Sequence, residues 1–127
     1  MLHHVSINVG DFAKAKDFYS KALAPLGYAL ISEFPEWSVA GFGEQGKPDT
    51  WIHAKGAEVL EKMHVAYATT SKDAVKAFYD AALLAGGTDN GAPGYRKEYS
   101  PGYYAAFIYD LNGHNIEAVF MDPNPSE

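Results

Sequence analysis

The sequence predicts an α+β fold made of two tandem βαβββ modules, spanning about residues 1–60 and 61–127 of a single domain, with curved mixed sheets and helices outside. Three observations predict it. A set of residue pairs recurs at one fixed offset. In each copy, a two-residue apolar alternation gives way to a helical one. After each helix come short apolar stretches separated by turn residues.

The offset is the strongest of the three. His4-Val5 returns as His64-Val65, Phe18-Tyr19 as Phe78-Tyr79, Ala22-Leu23 as Ala82-Leu83 and Gly27 as Gly87, all 60 residues apart without a gap. One register shared by a strand, a helix and a helix stop marks a duplicated unit.

In the first copy, Val5, Ile7 and Val9 alternate with His4, Ser6 and Asn8, which predicts a strand over Leu2–Val9. Asp11 is the expected helix N-cap. Phe12, Ala15, Tyr19, Ala22, Leu23 and Leu26 then recur at helical spacing, and Gly27 supplies the stop. Strands are expected over Tyr28–Phe34, Trp37–Gly43 and Thr50–Ala54, with a turn through Gln45-Gly46-Lys47-Pro48. The second copy repeats the scheme. A strand carries Val65 and Tyr67 opposite His64, Ala66 and Ala68, and a helix from about Lys72 to Leu84 stops at Gly86-Gly87. A weak strand near Thr88, a loop from Asn90 to Gly102, and a hairpin of Tyr103–Tyr109 and Asn115–Phe120 around Asn112-Gly113 complete it.

The 127 residues suit one compact domain, and 47% apolar against 20% charged residues is a globular balance. The formal net charge is −6 and no Lys/Arg stripe appears, which argues against a nucleic-acid partner or an anionic membrane. Without cysteine, any metal site must use nitrogen and oxygen ligands. Met1-Leu2-His3-His4 runs directly into the first strand and no apolar run could span a bilayer, so a cytoplasmic protein is expected.

The duplication places His4 and His64 at the same point of two first strands, on the face opposite the packed Val and Ile positions. In the last strands, Ile52-His53-Ala54 aligns with Ile116-Glu117-Ala118, here at an offset of 64. A pseudo-twofold arrangement would gather His4, His53, His64 and Glu117, a nitrogen and oxygen set suited to Zn, Fe, Mn, Ni or Co. His3 is expected at the surface, pointing away from His4, and His114 in the hairpin turn is expected to be solvated.

These features together resemble the vicinal-oxygen-chelate superfamily of glyoxalases, bleomycin-resistance proteins and extradiol dioxygenases. The likeness is carried by His-Val at the start of both modules, the Phe-Tyr-x-x-Ala-Leu helices and Asp110-Leu111-Asn112-Gly113-His114-Asn115-Ile116-Glu117, and it covers nearly the whole chain. Small members share stretches like Ala22-Leu23-Ala24-Pro25-Leu26-Gly27-Tyr28 and Pro101-Gly102-Tyr103-Tyr104. The resemblance implies a cup between paired modules and a divalent metal held by His4, His64 and Glu117, with His53 at the variable fourth position. It further implies a homodimer and a small oxygen-chelating substrate, with isomerase, lyase or dioxygenase chemistry and Glu117 able to alternate between ligand and base. The family's glutathione-dependent glyoxalases carry Glu where His53 stands and a first-strand arginine where this chain has Asn8, so that activity is not expected here.

Asn8, Trp37, Trp51, Arg96, Tyr99, Tyr103 and Tyr104 are the candidate pocket residues, lying on strands or loops near the expected cup. Arg96 among them suits an anionic substrate group. The competing class is a metal-free protein that sequesters a planar molecule between these aromatic rings.

Overall fold

The computed structural model describes residues 1–125; the end of the second expected module, residues 126–127, lies outside them. Two sheets and two long helices follow one another in chain order. The first half runs β1 (Val5–Val9), α1 (Phe12–Ala22), β2 (Ala29–Phe34), β3 (Val39–Glu44) and β4 (Lys47–Ala54). The second runs β5 (His64–Ala68), α2 (Lys72–Leu84), the short β6 (Thr88–Asp89) and β7 (Gly94–Tyr95), then β8 (Tyr103–Tyr109) and β9 (Asn115–Met121). Sheet one has the order β1-β4-β3-β2, and sheet two the order β5-β9-β8-β6 with β7 also on β8. In each, the first strand lies parallel to the last and the others are antiparallel, so both sheets are mixed.

Helix caps follow the expected chemistry. The Asp11 side chain accepts from the Lys14 N–H, and Ser71 does the same for Ala74 at the start of α2. Helix α1 ends sooner than the apolar spacing predicts. It stops at Ala22, and a 3-10 turn over Ala24–Leu26 carries the chain to Gly27. Pro25 lacks the N–H that another α-turn would use, so the helix cannot run on to Leu26.

The turn between β3 and β4 is also tighter than expected. Glu44 pairs with Lys47, leaving only Gln45 and Gly46 in the loop, with φ of 50° and 75°. Positive φ at both positions is the two-residue hairpin geometry that matches strand twist. Lys47 and Pro48 therefore belong to β4.

One face of each sheet packs inward. Ile7, Val9, Ile52, Ala40 and Phe42 from sheet one, and Tyr67, Ile116, Ala118, Ala106 and Ile108 from sheet two, form a single core with Phe18, Tyr19, Ala22, Val75, Phe78 and Ala82 of the helices. The alternate residues of the long strands form the opposite face, which carries Trp51, His53, His64, Tyr103 and Glu117.

Candidate functional site

On sheet two, the face away from the core carries a buried carboxylate. Glu117 sits in the middle of β9 with 1% of its surface exposed. β5 and β9 pair Ala66 with Glu117 and His64 with Asn115, so His64 and Glu117 are diagonal neighbours on one face. The His64 Nε2 lies 2.7 Å from Glu117 Oε1. The other carboxylate oxygen, Oε2, accepts a hydrogen bond from the Tyr103 hydroxyl of β8. Burial, and then this carboxylate, push the Tyr103 hydroxyl up to about 12. Phe107, the β8 partner of Glu117, borders His64 with ring centroids 6.2 Å apart. Tyr99, 61% exposed, meets Tyr103 edge-on at 5.1 Å.

Tyr104 does not join them. Adjacent strand residues point to opposite faces, and Tyr104 is buried in the core against Tyr95. Its place among pocket candidates is corrected by that alternation.

Sheet one offers a different face. β1 and β4 pair Ser6 with Trp51 and Asn8 with His53, and β3 pairs Gly41 with Trp51. In sheet two the corresponding pairs are Ala66 with Glu117 and Phe107 with Glu117. Trp51, not His53, is therefore the register counterpart of Glu117. The last strands match at an offset of 66 rather than 64, since Thr50 stands beside Val5 as Ile116 does beside Val65. The similar triplets Ile-His-Ala and Ile-Glu-Ala had suggested the shorter offset. His53 corresponds to Val119, one pleat further along.

Trp51 lies flat over Gly41, whose missing Cβ would come within 2.8 Å of the indole. Phe34 stacks on Trp51 at 6.3 Å and on Trp37 at 5.4 Å, and Trp37 is 66% exposed. His4, exposed just ahead of β1, lines an open hollow with His3 and Trp51. Its Nδ1 lies 2.8 Å from His3 Nδ1, so the two histidines meet rather than diverge. Asn8 is exposed on this face, two positions along β1 from Ser6. Among the described residues, no three ligand-type side chains gather within one chain. The chain brings together His64 and Glu117, with Tyr103 and Phe107, and separately His4 with Trp51.

His114 was missed by sequence reasoning. It is 0% exposed rather than solvated. The Met63 N–H donates to its Nδ1 at 3.0 Å, so the ring carries its hydrogen on Nε2 and donates to the Asn8 carbonyl at 2.7 Å. It thereby ties β1 to the entry of β5. A histidine beside Asn-Gly reads as turn material, and only the buried loop around Asp110 reveals this role.

The comparisons with known proteins agree with this architecture. The family model of the Glyoxalase/Bleomycin resistance protein/Dioxygenase superfamily matches residues 1–118. The chain belongs to that superfamily. A glyoxalase/bleomycin resistance protein from Albidiferax ferrireducens superposes with a TM-score of 0.77 at 24% identity, over 92% of this chain and 95% of that one. A glyoxalase-related enzyme from Fulvimarina pelagi gives 0.71 at 18% identity, over 94% and 87%. An E144Q glyoxalase I mutant from Zea mays gives 0.69 at 23% identity over 92% of this chain, which spans 45% of that protein. Comparison with curated proteins finds no relative. Identities this low carry the superfamily's fold and no particular activity. Among the described residues, no helix is long and apolar enough to cross a membrane.

The donors fit a divalent metal in part. An imidazole nitrogen and a carboxylate oxygen 2.7 Å apart on neighbouring strands are borderline-hard donors of the right kind. A third donor must come from outside this pair.

Proposed function

We propose that this chain is a divalent-metal-dependent enzyme of its superfamily, working as a C2 homodimer on a small substrate with two neighbouring oxygens. His64 and Glu117 of one protomer would hold the ion together with His4 of the partner subunit, and Zn, Fe, Mn, Ni and Co all suit that set. One observation carries the reading: Glu117 is a carboxylate almost fully buried in the middle of β9, with its two oxygens turned toward a histidine and a tyrosine. Such burial is costly unless the group has work that repays it.

When bound, the ion would polarise the substrate oxygens and stabilise charge developing on an enolate or alkoxide. Glu117 is the group to take a proton from the carbon beside a substrate carbonyl. Tyr103 is a positioning residue that holds the Glu117 Oε2. The exposed Phe34 and Trp37, with the half-buried Trp51 on the same face of sheet one as His4, are an apolar surface for a second copy to cover. Isologous pairing would form both sites at once. Glutathione is not the expected co-substrate, because Asn8 offers only a neutral side chain to its carboxylates.

The Trp37–Phe34–Trp51 stack, exposed at Trp37 and Phe34, also favours a second reading, a metal-free binder of planar molecules. Metal content after purification without chelator separates the two. About one ion per chain supports the enzyme, and a negligible amount supports the binder. Mixing His4→Ala with His64→Ala protein then tests the shared site. A heterodimer of these variants has one doubly damaged site and one intact site, and random exchange makes about half of the dimers heterodimers, so metal binding should return to about a quarter of the wild-type sites. No recovery on mixing, with both parents dimeric, would remove His4 from the ligand set.

A further inference from the structure

We propose that the site face of sheet two carries an anion subsite, in which Arg96 receives a carboxylate of the substrate beside the His64–Glu117 pair. The inference rests on reading this face as the substrate site, and it adds the chemical class of the substrate.

Arg96 follows β7, and its guanidinium lies over Phe107 with Cζ 5.3 Å from the ring centroid. His64 borders the same ring. Guanidinium and imidazole thus share one aromatic neighbour, a span that a small planar ligand can bridge. The guanidinium is held by its own loop: Nη1 donates to the Gly94 carbonyl and Nη2 to the Ala92 carbonyl, each at 2.8 Å. Both acceptors are neutral, which leaves Nε–H and one N–H on each terminal nitrogen for another partner. No carboxylate among the described residues pairs with it, although the chain has a net charge of −6.

The loop is shaped around this cation. Gly91 has φ +145°, and a Cβ there would meet Arg96 Nη2 and the Phe107 ring, each at 3.1 Å. Beside the guanidinium is an open cleft of about 280 Å³, lined by Asn90, Gly91, Arg96, Tyr99, Phe107 and Asn115. Asn115 is the register partner of His64, so the cleft adjoins the histidine and its carboxylate. A preorganised, unneutralised guanidinium against an aromatic ring suits a planar carboxylate, which it can grip through two parallel hydrogen bonds.

The test uses the full chain without added metal, titrated with benzoate and with its neutral isostere benzamide while the Arg96 Nε–Hε resonance is followed. Benzoate should shift that resonance saturably and bind about 10-fold tighter than benzamide, the factor that ~1.4 kcal/mol of charge-assisted contact gives. Arg96→Gln should bring the two probes within about 2-fold, and Arg96→Lys should keep part of the preference. Equal or absent binding of both probes to the wild type, or a preference that survives Arg96→Gln, would overturn the subsite. Metal content is measured on the same sample. Metal without a benzoate preference sinks the anion subsite alone, whereas a benzoate preference without metal leaves it standing and sinks the metal reading.

Discussion

Trp51 and Glu117 occupy the same register position of two like-ordered sheets, and their surroundings are exchanged with them. In sheet one a large indole lies over Gly41, with Phe34 and Trp37 stacked beyond it. In sheet two a small, buried carboxylate lies beside Phe107, and His64 and Tyr103 hold its oxygens. The pairing of first, last and penultimate strands around these two positions is common to both sheets, so at this position the difference lies in the side chains of one face. The inward faces had less freedom, because both pack into one shared core that is apolar apart from the buried Thr50, which is hydrogen-bonded to the Tyr67 hydroxyl. Two sheets of like order can therefore carry a polar cluster on one and an aromatic stack on the other over one shared core.

The largest effect should come from erasing that asymmetry at Glu117. Glu117→Ala removes one donor and should weaken binding of Zn²⁺ or Mn²⁺ by at least ~100-fold, about 2.7 kcal/mol, in calorimetric titration. Metal affinity unchanged by this substitution would end the metal reading of sheet two. The reverse exchange, Trp51→Glu, sets a carboxylate at the matching register position above Gly41. If the two faces meet in a dimer, this variant should bind the same metals about 10-fold tighter.

The hairpins differ in the same way as the faces. Sheet one turns through two residues, whereas sheet two turns through a longer loop built on Asp110. That buried carboxylate accepts from the Tyr19 hydroxyl at 2.5 Å and from the N–H groups of Asn112 and His114 at 2.9 and 2.8 Å. Asp110→Ala should destabilise the fold by about 3 kcal/mol, since it leaves buried donors unpaired. Gly46→Ala, which strains only an exposed turn, should cost about 1 kcal/mol. Denaturant titrations of both variants measure the contrast, and equal losses would show that the Asp110 loop is no more than a turn.

Much of this was legible in the sequence, for identifiable reasons. The offset of 60 holds as far as Gly87 because first strands and helices tolerate no insertion without turning their apolar faces outward. The proximity of His64 and Glu117 was expected from strand alternation and the duplicated arrangement of first and last strands. Alternation was equally available for Tyr103 and Tyr104, which cannot share a face. Two features were hidden. The true offset of the last strands is set by strand pairing, and local similarity between Ile-His-Ala and Ile-Glu-Ala pointed elsewhere. The buried role of His114 depends on Asn8 and Met63, which are distant in sequence and carry no local signal.

A smaller effect should attend Tyr103, which acts on the site only through Glu117. Tyr103→Phe keeps the ring beside Tyr99 and removes one hydrogen bond, so a metal-binding loss of about 10-fold at most is expected. Its pH signature separates positioning from simple packing. The hydroxyl titrates higher in the folded protein than in the unfolded chain, raised first by burial and then by Glu117. The protonated form is thus favoured by folding. Its contribution to stability is complete below pH ~10 and is lost as pH rises through about 12. Tyr19, Tyr28 and Tyr67 are also raised, chiefly by burial, so stability should fall above pH ~10 in the wild type. Tyr103→Phe should flatten that alkaline decline, and an unchanged profile would show that the hydroxyl gains nothing from the fold.

The smallest effect should be at His53, and its smallness is the informative result. If ligand positions followed similarity between the triplets, His53 would be the counterpart of Glu117 and its loss would cost metal affinity on the scale of a ligand. By strand pairing it corresponds to Val119, a residue whose side chain supplies no donor atom. His53 is paired with Asn8 on β1 and Val39 on β3, one pleat beyond Trp51. A ligand set drawn from His64, Glu117 and His4 of the partner subunit therefore has no need of it. His53→Ala should change metal affinity by less than about 2-fold, under ~0.4 kcal/mol, where His64→Ala changes it by ~100-fold. A loss at His53 comparable to that at His64 would mean that the dimer shifts the facing strands by one pleat, bringing His53 rather than Trp51 opposite Glu117.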